Sequence, residues 1–187
     1  SLHANLTCLG KRAHSARPWQ GENALYKAIP ALQCLEQLGR KEVVVSGLSY
    51  FEVLTPTQMN TVSPTNAVPE DVRINVNYRF APGKSVEQAW QDVQQTLGSF
   101  GQLSLLESAP AGDVALNSPA LQSWIERNQL ITEAKQAWTD VARLTQAGIP
   151  AVNFGPGDPA QAHQANEHVE VAALEECLRL VKDLLVN

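Results

Sequence analysis

The stretch from Arg12 to Ala24, RAHSARPWQGENA, sets a histidine, two arginines and a tryptophan in a loop broken by Pro18 and Gly21. A turn requires Gly, Pro or Asn; it has no need of Arg12, His14, Arg17 and Trp19. An imidazole N–H fixed in a loop can donate to an oxygen as negative charge develops on it, and His14 is the candidate for that role. The competing reading is a histidine bonded to backbone at a strand end. His163, in AHQANEHVEV, lies between an apolar run and a helical pattern, where α/β proteins place their sites, and imidazole is the commonest zinc ligand. A catalytic zinc takes three protein ligands and an open position, and Glu167 and His168 beside His163 form no HExxH or CxxC pattern. A capping or surface histidine is the plain alternative. Arg79, in NYRFAP, offers a planar fork that suits a carboxylate by paired hydrogen bonds; a solvated surface arginine is its competitor. Asp140, in AWTDVARL, reads as a helix N-cap, and Asp158 as a turn residue.

Elements that could hold these groups follow from periodicity. Leu2, Ala4, Leu6 and Cys8 alternate with polar residues as in a half-buried strand. A helix is expected over 22–38, with Leu25, Ala28, Ile29, Leu32 and Leu35 inward, although Pro30 inside it should cost roughly 3 kcal/mol or kink it. Residues 43–53 read as one strand, 58–66 as another interrupted at Ser63-Pro64, and 71–80 as the clearest strand, with Val72, Ile74, Val76, Tyr78 and Phe80 on the core face. Val86, Ala89, Trp90, Val93 and Leu97 mark a second helix, and 103–106 a short strand. This βαββαβ order predicts a split-βαβ, ferredoxin-like α+β domain over 1–108 with two helices on one face of an antiparallel sheet.

Residues 108–119 have linker composition. Beyond them, Ser118 and Pro119 open a helix whose buried stripe is Leu121, Trp124 and Ile125. A short helix over 140–146, a strand over 150–154 and a last helix with Leu174, Cys177, Leu178, Val181 and Leu185 inward complete the pattern. One short strand cannot build a closed α/β core, so 109–187 reads as a piece of a larger α/β domain. Trp124, Trp138 and the Val152–Phe154 edge are accordingly expected to be exposed. The first residue is Ser1, within a strand pattern, and the expectation is a chain cut from something longer.

A net charge of −5 with scattered basic residues argues against a nucleic-acid partner. No apolar run reaches the ~20 residues of a membrane span, so no membrane partner is expected and the cytoplasm is the default location. Three widely spaced cysteines, Cys8, Cys34 and Cys177, fit free thiols rather than a disulfide framework.

Gly10, His14, Ser15, Pro18, Gly21, Asn23 and Ala24 together resemble the opening of the lid, or dimerisation, domain of zinc-dependent amidohydrolases. That family includes aminoacylases, acetylornithine deacetylases and succinyl-diaminopimelate desuccinylases. WTDVAR, VNYRFAP and the FGPGDP…AH…NEHV run are most similar to its desuccinylase branch. The resemblance implies a lid over 1–108, followed over 109–187 by the C-terminal part of an α/β catalytic domain. It implies that His163 is a metal ligand, that His14 reaches into a partner subunit's site as the oxyanion donor, and that Arg79, Asn66, Thr139, Asp140 and Arg143 lie against substrate. At Asn66 the family's upstream double glycine is here Ser63-Pro64. The resemblance further implies two zinc ions in the complete site, replaceable by cobalt, a homodimer through the lid, and a small substrate bearing carboxylates. The implied reaction is amide hydrolysis of N-succinyl-LL-2,6-diaminopimelate, for lysine and diaminopimelate synthesis. The family's His-x-Asp pair, bridging aspartate and Glu-Glu pair have no counterpart in this sequence, so the chain alone is expected to lack the general base and to be inactive. Acetylornithine deacetylase, aminoacylase or carboxypeptidase activity remains open, as does a non-catalytic dimerisation module.

Overall fold

A computed structural model describes residues 1–162 and 164–186. In chain order the elements are β1 (Leu2–Leu9), β2 (Ala13–His14), a 3-10 turn (Pro18–Gln20), α1 (Ala24–Leu38), β3 (Arg40–Val45), β4 (Leu48–Asn60), β5 (Ala67–Val68), β6 (Asp71–Arg79), α2 (Val86–Leu97) and β7 (Gln102–Ser108). There follow α3 (Pro119–Asn128), α4 (Val141–Gln146), a second 3-10 turn (Pro159–Gln161) and α5 (Val171–Val186). Five strands form an antiparallel sheet in the order β3-β4-β6-β1-β7. Without β3 this is the split-βαβ arrangement: β1 and β4 run the same way with β6 between them, and β3 extends one edge.

The alternation read in β1 and β6 is what builds the core. Leu2, Ala4, Leu6 and Cys8 face the same side as Val72, Ile74, Val76 and Tyr78, and α1 and α2 cover that side. Ser85 caps α2 with a complete capping box to Gln88. The buried face of α1 is Ala24, Ala28, Ala31 and Leu35, not the Leu25–Ile29–Leu32 stripe expected. Small alanines let the helix approach the sheet, and Leu25 and Leu32 pack only partly while Ile29 stays exposed. Pro30 sits inside an unbroken helix on its exposed side, as does Tyr26 one turn earlier. The carbonyl that Pro30 leaves unbonded therefore faces water.

Three expected strands differ from the structure. Residues 43–53 are not one strand but parts of the β3–β4 hairpin, turned at Ser46 (φ 51°) and Gly47 (φ 81°); two successive positive φ values are what a two-residue hairpin turn needs. Residues 58–60 continue β4, which carries a register shift between Pro56 and Gln58, and no separate strand covers 58–66. Residues 150–154 form no strand; Phe154 instead stacks edge-on against Trp124, 4.9 Å between ring centres.

Beyond β7, α3 and α5 pack through Ala115, Leu121, Trp124 and Leu180. Trp124 is buried, contrary to the expected exposure, and its Nε1–H donates to the carbonyl of Leu180 at 3.0 Å. Trp138 is half-buried, whereas Val152 and Phe154 are exposed. Leu180 and Leu184 turn inward in α5, while Leu174, Leu178 and Leu185, expected on its inner face, are exposed. Cys8, Cys34 and Cys177 are free thiols. Among the described residues no helix is long and apolar enough to cross a membrane.

One polar cluster closes the core between the sheet and α2. Glu52 is buried on β4, and Lys84 Nζ donates to its Oε2 at 2.8 Å, to Tyr78 Oη at 2.8 Å and to Asp92 Oδ2 at 2.6 Å. Ala81 N donates to Glu52 Oε1 at 3.1 Å, which fixes the turn leaving β6. Burial works against the Lys84 ammonium, yet its hydrogen bonds to Asp92, Glu52 and Tyr78 hold its pKa above the ordinary lysine range. Burial likewise opposes the Asp92 carboxylate, but the bonds from Lys84 and Tyr78 keep its pKa below the usual value.

Candidate functional site

Much of the Arg12–Ala24 motif proves to be scaffolding. A Cβ at Gly10 would lie 2.1 Å from the Glu22 carbonyl oxygen, and one at Gly21 2.5 Å from that of Lys11. These are backbone atoms of the paired segments Lys11 and Glu22, so neither can move aside. Asn23 caps α1, accepting from Leu25 N at 2.9 Å, and Ala24 is fully buried. Pro18 opens the 3-10 turn. Gly10→Ala should therefore open the loop and destabilise the fold by about 1–3 kcal/mol, as overpacking does; chemical denaturation checks this, with Gly155→Ala, whose added Cβ meets no atom within 4 Å, as the unhindered control.

What the scaffold presents is His14. It lies on β2, opposite Ala67 of β5, and Ser15 N donates to the Asn66 carbonyl at 2.9 Å. The two-stranded ribbon thus brings His14 and Asn66 together. Ala16 N donates to His14 Nδ1 at 3.1 Å. With Nδ1 an acceptor, a neutral ring carries its proton on Nε2, so the exposed side chain offers an N–H to whatever approaches. Arg12 is paired with Glu70 at 2.5 Å, and Trp19 is exposed.

Arg79 lies elsewhere. It ends β6, and β6, nine residues long, spans about 26 Å at ~3.3 Å per residue. Asn66 precedes the first residue of that strand, so Asn66 and Arg79 stand at opposite ends of the sheet and cannot grip one small substrate within a single chain. Arg79 lines a cavity of about 100 Å³ with Tyr50, Phe51, Trp138, Thr139 and Asn153. Its Nε donates to Asn77 Oδ1 at 2.8 Å. Asn153 Nδ2 donates to Thr139 Oγ1 at 3.0 Å. Among the described residues the buried indole nitrogen of Trp138 has no hydrogen-bond partner, an unused donor in a wall that also holds Arg79. Gln136 closes the rim: Phe51 N donates to its Oε1 at 3.1 Å, and its Nε2 donates to Ser49 O at 3.3 Å.

Asp140 and Arg143 form an exposed pair at 3.3 Å, with the guanidinium over the Trp138 ring. Asp140 makes no side-chain cap to α4. Asp158 caps the second 3-10 turn through Ala160 N, and His168 is exposed. His163 lies outside the described residues. Among the described residues no three His, Cys, Asp or Glu side chains come together as a metal site needs. Tyr50, Phe51, Gln136 and Trp138 line the cavity without having been singled out for it in the sequence. Trp138 carried a legible signal, an indole inside the WTDVAR motif, whereas the others depend on the hairpin that brings Tyr50 and Phe51 alongside.

Comparison with known proteins places these features. Residues 1–102 match the M20 peptidase dimerisation domain. Over 186 residues, 99% of this chain and 52% of the relative, it is 35% identical to a Mycobacterium tuberculosis protein provisionally named succinyl-diaminopimelate desuccinylase DapE. It is 33% identical to the succinyl-diaminopimelate desuccinylase of Corynebacterium glutamicum, again over 99% of this chain and 52% of that one. The chain thus spans about half the length of these curated relatives. Its fold is that of a tripeptidase from Staphylococcus aureus (TM-score 0.70, 21% identity, 98% of this chain and 50% of that one). An M20 family metallo-carboxypeptidase from Sulfolobus solfataricus is similar too (TM-score 0.67, 14% identity, 98% and 57%). With more than half of its length matched, the chain belongs to the M20 peptidase dimerisation domain family.

Proposed function

We propose that the complete protein is a metal-dependent amidohydrolase that removes the succinyl group from N-succinyl-LL-2,6-diaminopimelate, and that residues 1–108 form its dimerising lid. The observation that carries this reading is the division of the candidate residues into two sets at opposite ends of the sheet. His14 and Asn66 form one set, Arg79 and Thr139 the other.

A second copy unites them. β3 pairs with β4 only as far as Val53, so residues 54–60 leave one edge free. Beside that edge runs an apolar groove of about 500 Å³ between α1 and β4, lined by Ile29, Leu32, Leu35, Leu54 and Pro56. A two-fold pairing along this edge is antiparallel and isologous. It sets the Asn60 end of one β4 beside the Val53 end of the other. Because Asn60 neighbours Arg73 and Val53 neighbours Arg79, the His14 end of one copy approaches the Arg79 end of its partner.

In the combined site the Arg79 fork and the unused Trp138 N–H take a substrate carboxylate. The partner copy's His14 Nε2–H donates to the amide carbonyl oxygen as it gains charge. Water adds across the C–N bond, giving succinate and the free amine. The metal and general base that the family resemblance implies would be supplied from outside the described residues. Naming of relatives supports the succinyl substrate; an acetylornithine deacetylase of Myxococcus xanthus, 26% identical over 93% of this chain, keeps acetylated amines as the comparison substrate. Product analysis of the full-length protein on succinylated and acetylated diamines tests the choice, and faster release of acetate than succinate would overturn it.

The interface has its own test. Ile29 is about half exposed in the single chain, so Ile29→Arg should leave the fold intact. Sedimentation should show a dimer for the wild type and a monomer for the variant. A variant that stays dimeric would put the interface elsewhere.

A further inference from the structure

Arg79 does not stand alone at the cavity; a row of side chains across the open face of the sheet holds it from behind. Asn77 is buried on β6, two residues before Arg79 and directly opposite His3 of β1. Arg79 Nε donates to Asn77 Oδ1 at 2.8 Å, and Asn77 Nδ2 lies 2.7 Å from His3 Nε2 and 3.4 Å from the Leu2 carbonyl. A guanidinium only donates, so Asn77 must turn its oxygen to Arg79 and its NH₂ to His3. His3 Nε2 must then accept, which requires a neutral ring with its proton on Nδ1. A protonated His3 would set two donors face to face. The amide could answer only by flipping, and its NH₂ would then meet Arg79 Nε.

From these contacts we infer that Asn77 and His3 are positioning residues for Arg79: neutral His3 orients the Asn77 amide, and the amide aims the guanidinium's remaining N–H groups into the cavity. Glu107 on β7 lies beside the same ring, 3.6 Å from His3 Nε2. The inference rests on the reading of Arg79 as a carboxylate-binding residue only for its consequence, weaker carboxylate binding when the Asn77 amide is lost.

Side-chain ¹⁵N NMR on the chain decides it. The His3 resonances should report an Nε2 that carries no proton, and the Arg79 Nε–H should be protected from exchange. His3→Gln, whose amide oxygen can accept from Asn77, should keep that protection, and His3→Leu, which cannot accept, should weaken it. Asn77→Ala should lose the protection. An Arg79 Nε–H equally protected in Asn77→Ala would overturn the inference, as would a His3 ring with its proton on Nε2. Succinate serves as the carboxylate probe. Its dissociation constant, read from Arg79 shifts, should rise several-fold in Asn77→Ala and stay level in His3→Gln. Succinate that leaves Arg79 unmoved would instead sink the carboxylate reading, while the exchange protection would still judge the His3–Asn77 device.

Discussion

In the complete protein, His14→Ala should lower kcat by roughly 10²–10³-fold with little change in KM, the signature of a donor whose bond strengthens only in the transition state. Arg79→Ala should instead act chiefly on KM. Mixing the two variants then reads the geometry. In a heterodimer the chain carrying His14→Ala keeps its own Arg79 and receives an intact His14 from the other chain, which rebuilds one complete site of the two. Assayed well below KM, where both single variants are slow, activity should return toward half of the wild-type value per mixed dimer once subunit exchange has been verified by an independent label. No recovery in verified heterodimers would mean that His14 acts within its own chain, against a sheet that holds it and Arg79 at opposite ends.

The other large effect is on stability. Glu52 is buried, and Lys84 is the cation that meets it. Lys84→Met should destabilise the fold by about 3–5 kcal/mol, since a buried carboxylate left without its partner is worse than no ion pair at all. The melting temperature should fall by on the order of 10–20 °C. Adding Glu52→Gln to Lys84→Met should recover part of the loss, because the double variant buries no lone charge. If thermal melts show the double variant no better than Lys84→Met, the cost lies in lost packing of the lysine stem. The pH dependence has a fixed sign. Asp92 has a depressed pKa, so its contribution is complete above the ordinary aspartate range and is lost as pH falls through its folded value. Lys84 has a raised pKa, so its contribution is complete below the ordinary lysine range and is lost only as pH climbs beyond it. The cluster therefore stabilises throughout the neutral range, and Lys84→Met should flatten the acid limb of the stability curve.

Strand β6 and helix α2 were legible because each buries one face, and one-sided burial writes its period into the residue types. The β3–β4 hairpin was hidden by the same logic. Val43–Val45 and Tyr50–Val53 are β-formers on both sides of Ser46-Gly47, and the turn is signalled by that dipeptide alone. On the inner face of α1 side-chain size does not track burial: the sheet receives three alanines, and the larger Ile29 is left at the groove. In α5 the exposed leucines follow helical spacing as well as the buried ones do, so period could not choose between two faces. Site residues fared by a different rule. His14 and Arg79 were visible as residue types, and Asn66 and Thr139 through motif resemblance. The split into two sets was not visible, since it depends on which end of β6 each occupies. Asn77 and His3 looked like ordinary polar positions on a wet strand face, and only cross-strand register makes them neighbours of Arg79.

The side-chain amide of Gln136 sets a time scale. Where β6 ends, this amide takes the place of a strand's peptide unit against Ser49 and Phe51. Each such bond contributes a net ~0.5–1.5 kcal/mol, so breaking both is a thermally frequent event that requires no unfolding of the sheet. The rim over Arg79 can thus part and re-form at the rate of surface loop motions, nanoseconds to microseconds, several decades faster than a turnover of milliseconds or longer. Under the proposed hydrolysis, opening of this rim would be too fast to limit the cycle.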